Sequence, residues 1–215
     1  MGRILEIFKK ILTDVLTSVY EPFWFAVILA VLFMAVWNSA HKSGWKEVVL
    51  EWIGNFRRDQ VFRRTFFLAL YTALVLFRTL LNRTVWKNPL SDVLGNWHIF
   101  RENGEFNAEP LENVLLFIPF ILLLFWAESG KVLGEKKGFL SVAGRSIGIA
   151  ACFSLGIESA QLLLRMGTFQ LSDICYNTLG GLIGGGIYWA GNKVIESFRE
   201  WKRIREEEEN SDSWF

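Results

Sequence analysis

Residues 142–190 read VAGRSIGIAACFSLGIESAQLLLRMGTFQLSDICYNTLGGLIGGGIYWA, two long apolar stretches joined by a short turn. Set into them are Glu158, Gln161, Arg165, Asp173 and Asn177. Ionisable groups within a membrane helix are costly, so they face a bundle interior or a cavity and often mark function. The rest of the chain reads as the scaffold that presents this pair.

Composition supports a membrane setting. Of 215 residues 52% are hydrophobic, and ten Trp and nineteen Phe are heavy aromatic usage, which points to an integral membrane protein and away from a soluble enzyme. The two cysteines, Cys152 and Cys175, lie in apolar stretches, which argues against a disulfide framework or a thiolate zinc site. With only His41 and His98, a histidine metal cluster is not expected either. The expectation is no cofactor, no metal and no nucleic-acid partner.

Taken in order, residues 3–18 repeat Ile4, Leu5, Phe8, Ile11, Leu12, Val15 and Leu16 at helical spacing, with Arg3, Glu6, Lys9, Lys10 and Asp14 on the other face. This predicts an amphipathic helix at a membrane surface. Lys9, Lys10 and Asp14 break up any signal-peptide core. Residues 44–58 predict a second interfacial helix, with Trp45, Val48, Val49, Trp52, Ile53 and Phe56 as its stripe. Five spans are expected, at 23–37, 65–81, 111–127, 142–164 and 171–190. Arg78 is expected to snorkel to the interface, and Pro119 to kink the third span. Residues 82–112 form a long polar loop holding Trp97 and His98, and loops of this length are often functional. The fold class is thus all-α: a polytopic membrane protein of about five spans and two interfacial helices. Its segments are 1–60, a membrane domain at 61–190, and a charged tail at 191–215.

Lysine and arginine counts give an orientation. The connection after the first span and its flank carry six, residues 128–138 carry Lys131, Lys136 and Lys137, and the tail carries five. The 82–112 loop has three over a greater length, and the last turn has only Arg165. The expectation is a cytoplasmic C-terminus, with the 82–112 loop and the turn at Arg165 outside. Five spans then put the N-terminus outside, against which Arg3, Lys9 and Lys10 argue.

Glu158, Gln161 and Arg165 fall at i, i+3 and i+7, so they share one face of the fourth span; Asp173 and Asn177 share a face of the fifth at i, i+4. Asn113 starts the third span at the same level. Two readings stand beside each other. The polar groups cap helices and glue the bundle, with Asn113 and Asp173 as N-caps. Alternatively Glu158, Arg165 and Asp173 converge on an outer-leaflet pocket lined by Asn113, Gln161 and Asn177, with the arginine between two carboxylates. Gly180, Gly181, Gly184, Gly185 and Gly186, and Gly144 with Gly148, give GxxxG spacings that read as helix packing. Residues 144–148 match G-x-S-x-G, but a nucleophile elbow needs a strand, a turn and a helix, which this context lacks.

Those residues resemble a family signature. The run Glu158-Ser-Ala-Gln161, then Arg165, then Asp173-Ile-Cys-Tyr-Asn177-Thr178-Leu-Gly180-Gly181-Leu-Ile-Gly184 is similar to the VanZ-like family of bacterial membrane proteins. Asn113-Val-Leu-Leu-Phe117-Ile-Pro119-Phe120, Asn88-Pro89-Leu90 and Gly95-Asn96-Trp97 add to the likeness, which covers about residues 65–190. The family often has Gly after the Pro-Phe of the third span, where this chain has Ile121. The resemblance implies a multi-pass protein of the bacterial cell membrane linked to glycopeptide resistance, chiefly to teicoplanin. Two functions follow as expectations. One is binding of a membrane lipid or lipid-linked cell-wall component at the outer leaflet. The other is an enzyme on such a substrate, with Arg165 holding an anionic group and Glu158 or Asp173 as acid or base.

The orientation is testable. In a background lacking Cys152 and Cys175, a single cysteine at position 103 should react with a membrane-impermeant reagent in intact cells, and one at 135 should not. The opposite pattern inverts the topology.

Overall fold

Apolar stretches close their backbone hydrogen bonds internally as helices. The computed structural model describes residues 2–20, 22–39, 45–81, 88–100, 106–134 and 138–212. Among them stand seven α-helices: α1 (Gly2–Tyr20), α2 (Phe23–Ser39), α3 (Trp45–Arg58), α4 (Gln60–Leu76), α5 (Glu109–Val132), α6 (Phe139–Leu164) and α7 (Leu171–Asp212). A π-helical turn, Phe77–Leu81, continues α4. The only β pairing among the described residues is a single bridge between Phe100 and Phe106.

Three helices, Gln60–Leu80, Glu109–Val132 and Phe139–Leu164, are long and apolar enough to cross a membrane. The apolar part of α2, Phe23–Val36, is shorter. The remaining expected span, the first half of α7, is diluted by five glycines and by Asp173 and Asn177, and it does not reach that apolarity.

The bundle is built around α7. Its first half lies against both α5 and α6. A Cβ on Gly180 would collide with the Val114 backbone of α5, and one on Gly184 would sit 2.7 Å from the Ile118 carbonyl of the same helix. A Cβ on Gly181 would collide with Ala150, and one on Gly185 with Ser146, both on α6. The two overlapping GxxxG pairs, one residue out of phase, thus seat one helix against two neighbours. Ile121, in the place where the family often has Gly, is fully buried beside Gly181 and Gly184, so glycines on α7 accept its bulk. Gly144 and Gly148 face open space and take no part in the packing. Ser146, the serine of the G-x-S-x-G string, is buried within α6, where its hydroxyl donates to the Val142 carbonyl at 2.6 Å. That is a packing role.

The main core gathers Val75, Phe117, Phe120, Ile121, Phe125, Leu133, Val142, Ala150 and Ile157. Phe120 stacks on Phe153 at 4.5 Å between ring centroids. Tyr71 of α4 donates to the Leu116 carbonyl of α5 at 2.9 Å, in the turn before Pro119. Backbone angles stay helical through Pro119, and the interior break in α5 falls at Glu128 (φ −124°, ψ 24°), whose carboxylate pairs with Lys131. A second core of Ala30, Met34, Phe62 and Phe66 joins α2 and α4. On α3, Trp52 stacks on Phe56 and meets Phe62 and Phe66 edge-on, so part of the expected membrane-facing stripe turns onto α4 instead. Asp59 caps α4 by accepting from the Val61 N–H, and Arg63 donates back to the Phe56 and Arg57 carbonyls that end α3. On α1, Leu5, Phe8, Leu12 and Leu16 remain exposed at helical spacing, which suits a membrane surface. Past residue 190, α7 is a solvated helix with Lys193–Glu196, Lys202–Glu206 and Arg203–Glu207 pairs, yet Val194, Phe198 and Trp201 stay exposed along one side.

Gly180→Ala and Gly184→Leu should lower the melting temperature in detergent, since overpacking costs about 1–3 kcal/mol a site. Gly148→Ala should be neutral or stabilising by up to about 1 kcal/mol, because its Cβ meets nothing. Equal behaviour of all three variants would show that α7 is not seated there.

Candidate functional site

The ends of α4 and α6 and the starts of α5 and α7 meet at one end of the bundle, where the polar residues of the sequence motif collect. The π turn shifts the hydrogen-bond ladder of its helix and exposes main-chain oxygens to new partners. Gln161, 2% exposed on α6, donates its Nε2 to the Thr79 carbonyl in that turn at 2.8 Å. The Thr79 hydroxyl in turn donates to the Val75 carbonyl. One turn earlier on α6, Glu158 is also 2% exposed, and its Oε2 accepts the Gln170 N–H at 2.8 Å.

Gln170 immediately precedes α7, whose first N–H groups have no partners within their own helix. Glu158 supplies one acceptor at the positive end of the helix. The 88–98 loop supplies the others. The Leu171 N–H donates to the Val93 carbonyl (2.9 Å) and the Ser172 N–H to that of Leu94 (3.3 Å), while just upstream the Phe169 N–H donates to Pro89 (2.9 Å). The Gln170 side chain reaches Asp92, and the Tyr176 hydroxyl donates to the Trp97 carbonyl at 3.0 Å. Gly95 adopts φ +73° against Ser172, where a Cβ would collide with the Ser172 hydroxyl oxygen. Residues 89–97 of the loop are therefore folded onto the α6–α7 turn as a cap.

Arg165 departs from the helical-face expectation. The i, i+7 argument assumes an unbroken helix, but α6 ends at Leu164 and Arg165 is left-handed at φ 55°, ψ 32°. The Arg165 N–H donates to the Leu162 carbonyl and the Met166 N–H to that of Gln161, a C-terminal motif usually closed by glycine. A left-handed L residue costs roughly 1–2 kcal/mol. The conformation swings the side chain off the Glu158–Gln161 face and into the open, and Arg165 is exposed. Among the described residues its guanidinium forms no ion pair, so it does not bridge Glu158 and Asp173.

Asp173 is half-buried in the first turn of α7, inside the helix and not at its N-cap. Asn177 is 3% exposed; its Nδ2 donates to the Ser154 hydroxyl of α6 at 2.8 Å, while its Oδ1 is buried with no hydrogen-bond partner among the described residues. Asn113 is half-buried within α5, which starts at Glu109 with Ala108 at the cap position, so it is no N-cap either. Arg78 does not simply snorkel: it pairs with Glu112 at 2.5 Å, tying the π turn to the start of α5. Thr79, Gln170 and Glu112 have no local sequence signal, since their roles depend on partners distant in the chain. Gly95 and Trp97 were visible as motif residues, but without a partner.

An all-α bundle with three helices fit to cross a membrane and its polar groups gathered at one end defines the class: a helical membrane protein. The chain belongs to the VanZ/LLP1 family, which it matches over residues 18–195. The match begins well upstream of residue 65 and so takes in α2 and α3. The chain is similar to Protein VanZ of Enterococcus faecium, with 33% identity over 94 residues, 44% of this chain and 52% of that protein. It thus spans about half the length of that curated relative. No solved structure matches it.

Glu158→Gln keeps an acceptor for the Gln170 N–H, whereas Glu158→Leu leaves that donor without one. The leucine variant should lose about 1–3 kcal/mol of stability and the glutamine variant less, read by thermal melting in detergent. Equal melting of the two would remove Glu158 from its capping role.

Proposed function

We propose that this protein binds an anionic lipid or lipid-linked cell-envelope component at the outer leaflet, and that this binding lowers susceptibility to glycopeptide antibiotics such as teicoplanin. The observation that carries the reading is Arg165: an exposed arginine at a left-handed helix terminus where glycine is less strained, with no ion pair among the described residues. Sparsely populated backbone conformations persist where the surroundings enforce them, and they cluster at functional sites. A guanidinium fork suits phosphate or carboxylate oxygens. Leu163, 83% exposed, and Leu164 beside it suit the apolar part of a lipid.

In this reading Glu158 and Gln161 hold the turn that displays Arg165, and Asp173, Asn177 and Asn113 line the same end. The engaged, buried carboxylate of Glu158 favours binding over acid–base catalysis. The chain crosses the membrane several times with its C-terminus in the cytoplasm, as the lysine and arginine asymmetry supports. The link to resistance is what the family resemblance implies, and the chain matches Protein VanZ over about half of that protein.

Arg165→Gly separates function from fold. It relieves the left-handed strain, so the melting temperature should hold or rise, by no more than about 1–2 kcal/mol in stability. Teicoplanin susceptibility should return to that of cells lacking the protein. A folded Arg165→Gly variant that still protects fully would sink the reading.

A further inference from the structure

An apolar groove of about 580 Å³ runs between α2 and α4 and ends at Leu164 of α6. Its volume falls within the range of about 300–1,000 Å³ of ligand pockets. Its α4 wall runs from Thr65 to Leu80 in the π turn, about 22 Å at 1.5 Å per residue. One leaflet of hydrocarbon is about 15 Å deep, half of a bilayer core. Leu29, Phe33 and Leu164 on the rim are 41%, 48% and 55% exposed, so the groove opens sideways from the bundle. Of its lining side chains among the described residues only Thr65 and Thr72 carry polar atoms, and the Thr65 hydroxyl is taken up by the Val61 carbonyl. Nothing there asks for a polar ligand, while the neighbour of Leu164 is the cation Arg165.

We infer that the groove holds one acyl chain of the anionic lipid whose head group Arg165 binds. This rests on the lipid-binding reading above and adds where the tail lies. The head sits at the Leu164–Arg165 corner, and the chain runs along α4 past Leu80 and Thr72 towards Ala69. The small side chains Ala30, Ala69 and Ala73 leave it room. The arrangement selects lipids by a tail and a charge together.

The test uses the full chain in lipid nanodiscs containing phosphatidylglycerol with a photoreactive diazirine at the end of one acyl chain. After irradiation, adducts mapped by mass spectrometry should concentrate on Leu29, Phe33, Ala69 and Thr72. Ala69→Phe and Thr72→Phe, which fill the groove, should each cut those adducts about tenfold, a change of about 1.4 kcal/mol. Adducts spread as densely over the outward residues Leu115, Leu155 and Ile187 would overturn the groove, with no variant needed. An unlabelled groove in a protein that light scattering shows to be dimeric would overturn it in favour of a second copy. A phosphatidylcholine analogue that labels the groove as strongly would uphold the tail site and overturn the Arg165 head-group reading.

Discussion

The close approach of α7 to α5 and α6 is the contact on which the rest of the structure depends. In lipid there is little hydrophobic drive to bring helices together, because the solvent is as apolar as the side chains. Association then rests on van der Waals contact at short range, and contact of that kind needs surfaces without side chains. Gly180 and Gly184 give α7 such a surface towards α5, and Gly181 and Gly185 give another towards α6. One residue of offset turns a dimerisation motif into a three-helix seat. The opposing positions match: Ala150 and Ser146 on α6 are small, and on α5 the backbone itself at Val114 and Ile118 makes the contact.

Seating α7 in this way places its N-terminus at the polar end, where unpaired N–H groups need acceptors. Glu158 and the carbonyls of Val93 and Leu94 provide them, and Gln161 serves the π turn alongside. These contacts explain why Glu158 and Gln161 stand in an apolar helix: each satisfies main chain that would otherwise be buried bare. They also fix the α6–α7 turn, and through it the left-handed conformation of Arg165. In the proposed reading the residues that look most like a reactive cluster are the support, and the exposed arginine is the group that meets a ligand.

In the proposed reading that division of labour continues along the groove. The groove between α2 and α4 meets the Arg165 corner through Leu164, so charge and apolar surface lie end to end. A free soluble anion would have no use for the groove, and a neutral hydrocarbon would have none for the arginine. A lipid satisfies both, which is why the two features are read as one site.

Apolar periodicity by itself determined the helices, and the glycine spacing determined that α7 would pack closely. The positions of Glu158, Gln161, Asp173 and Asn177 told that polar chemistry collects at one end. Periodicity is a local property, and the geometry of a helix converts it directly into faces. Tertiary structure alone decided the partners. Gln161 finds Thr79 and Glu158 finds the N-terminus of α7 through contacts that no local pattern encodes. Arg165 shows the limit most clearly. Spacing put it on the face of Glu158, but one residue past the end of α6 the chain turns left-handed, and a single change of backbone angle moves a side chain from the interior to the surface. The end of α6 is closed locally, by its own Leu162 and Gln161 carbonyls, while the turn that follows is held by the carbonyls of Val93 and Leu94 from another part of the fold.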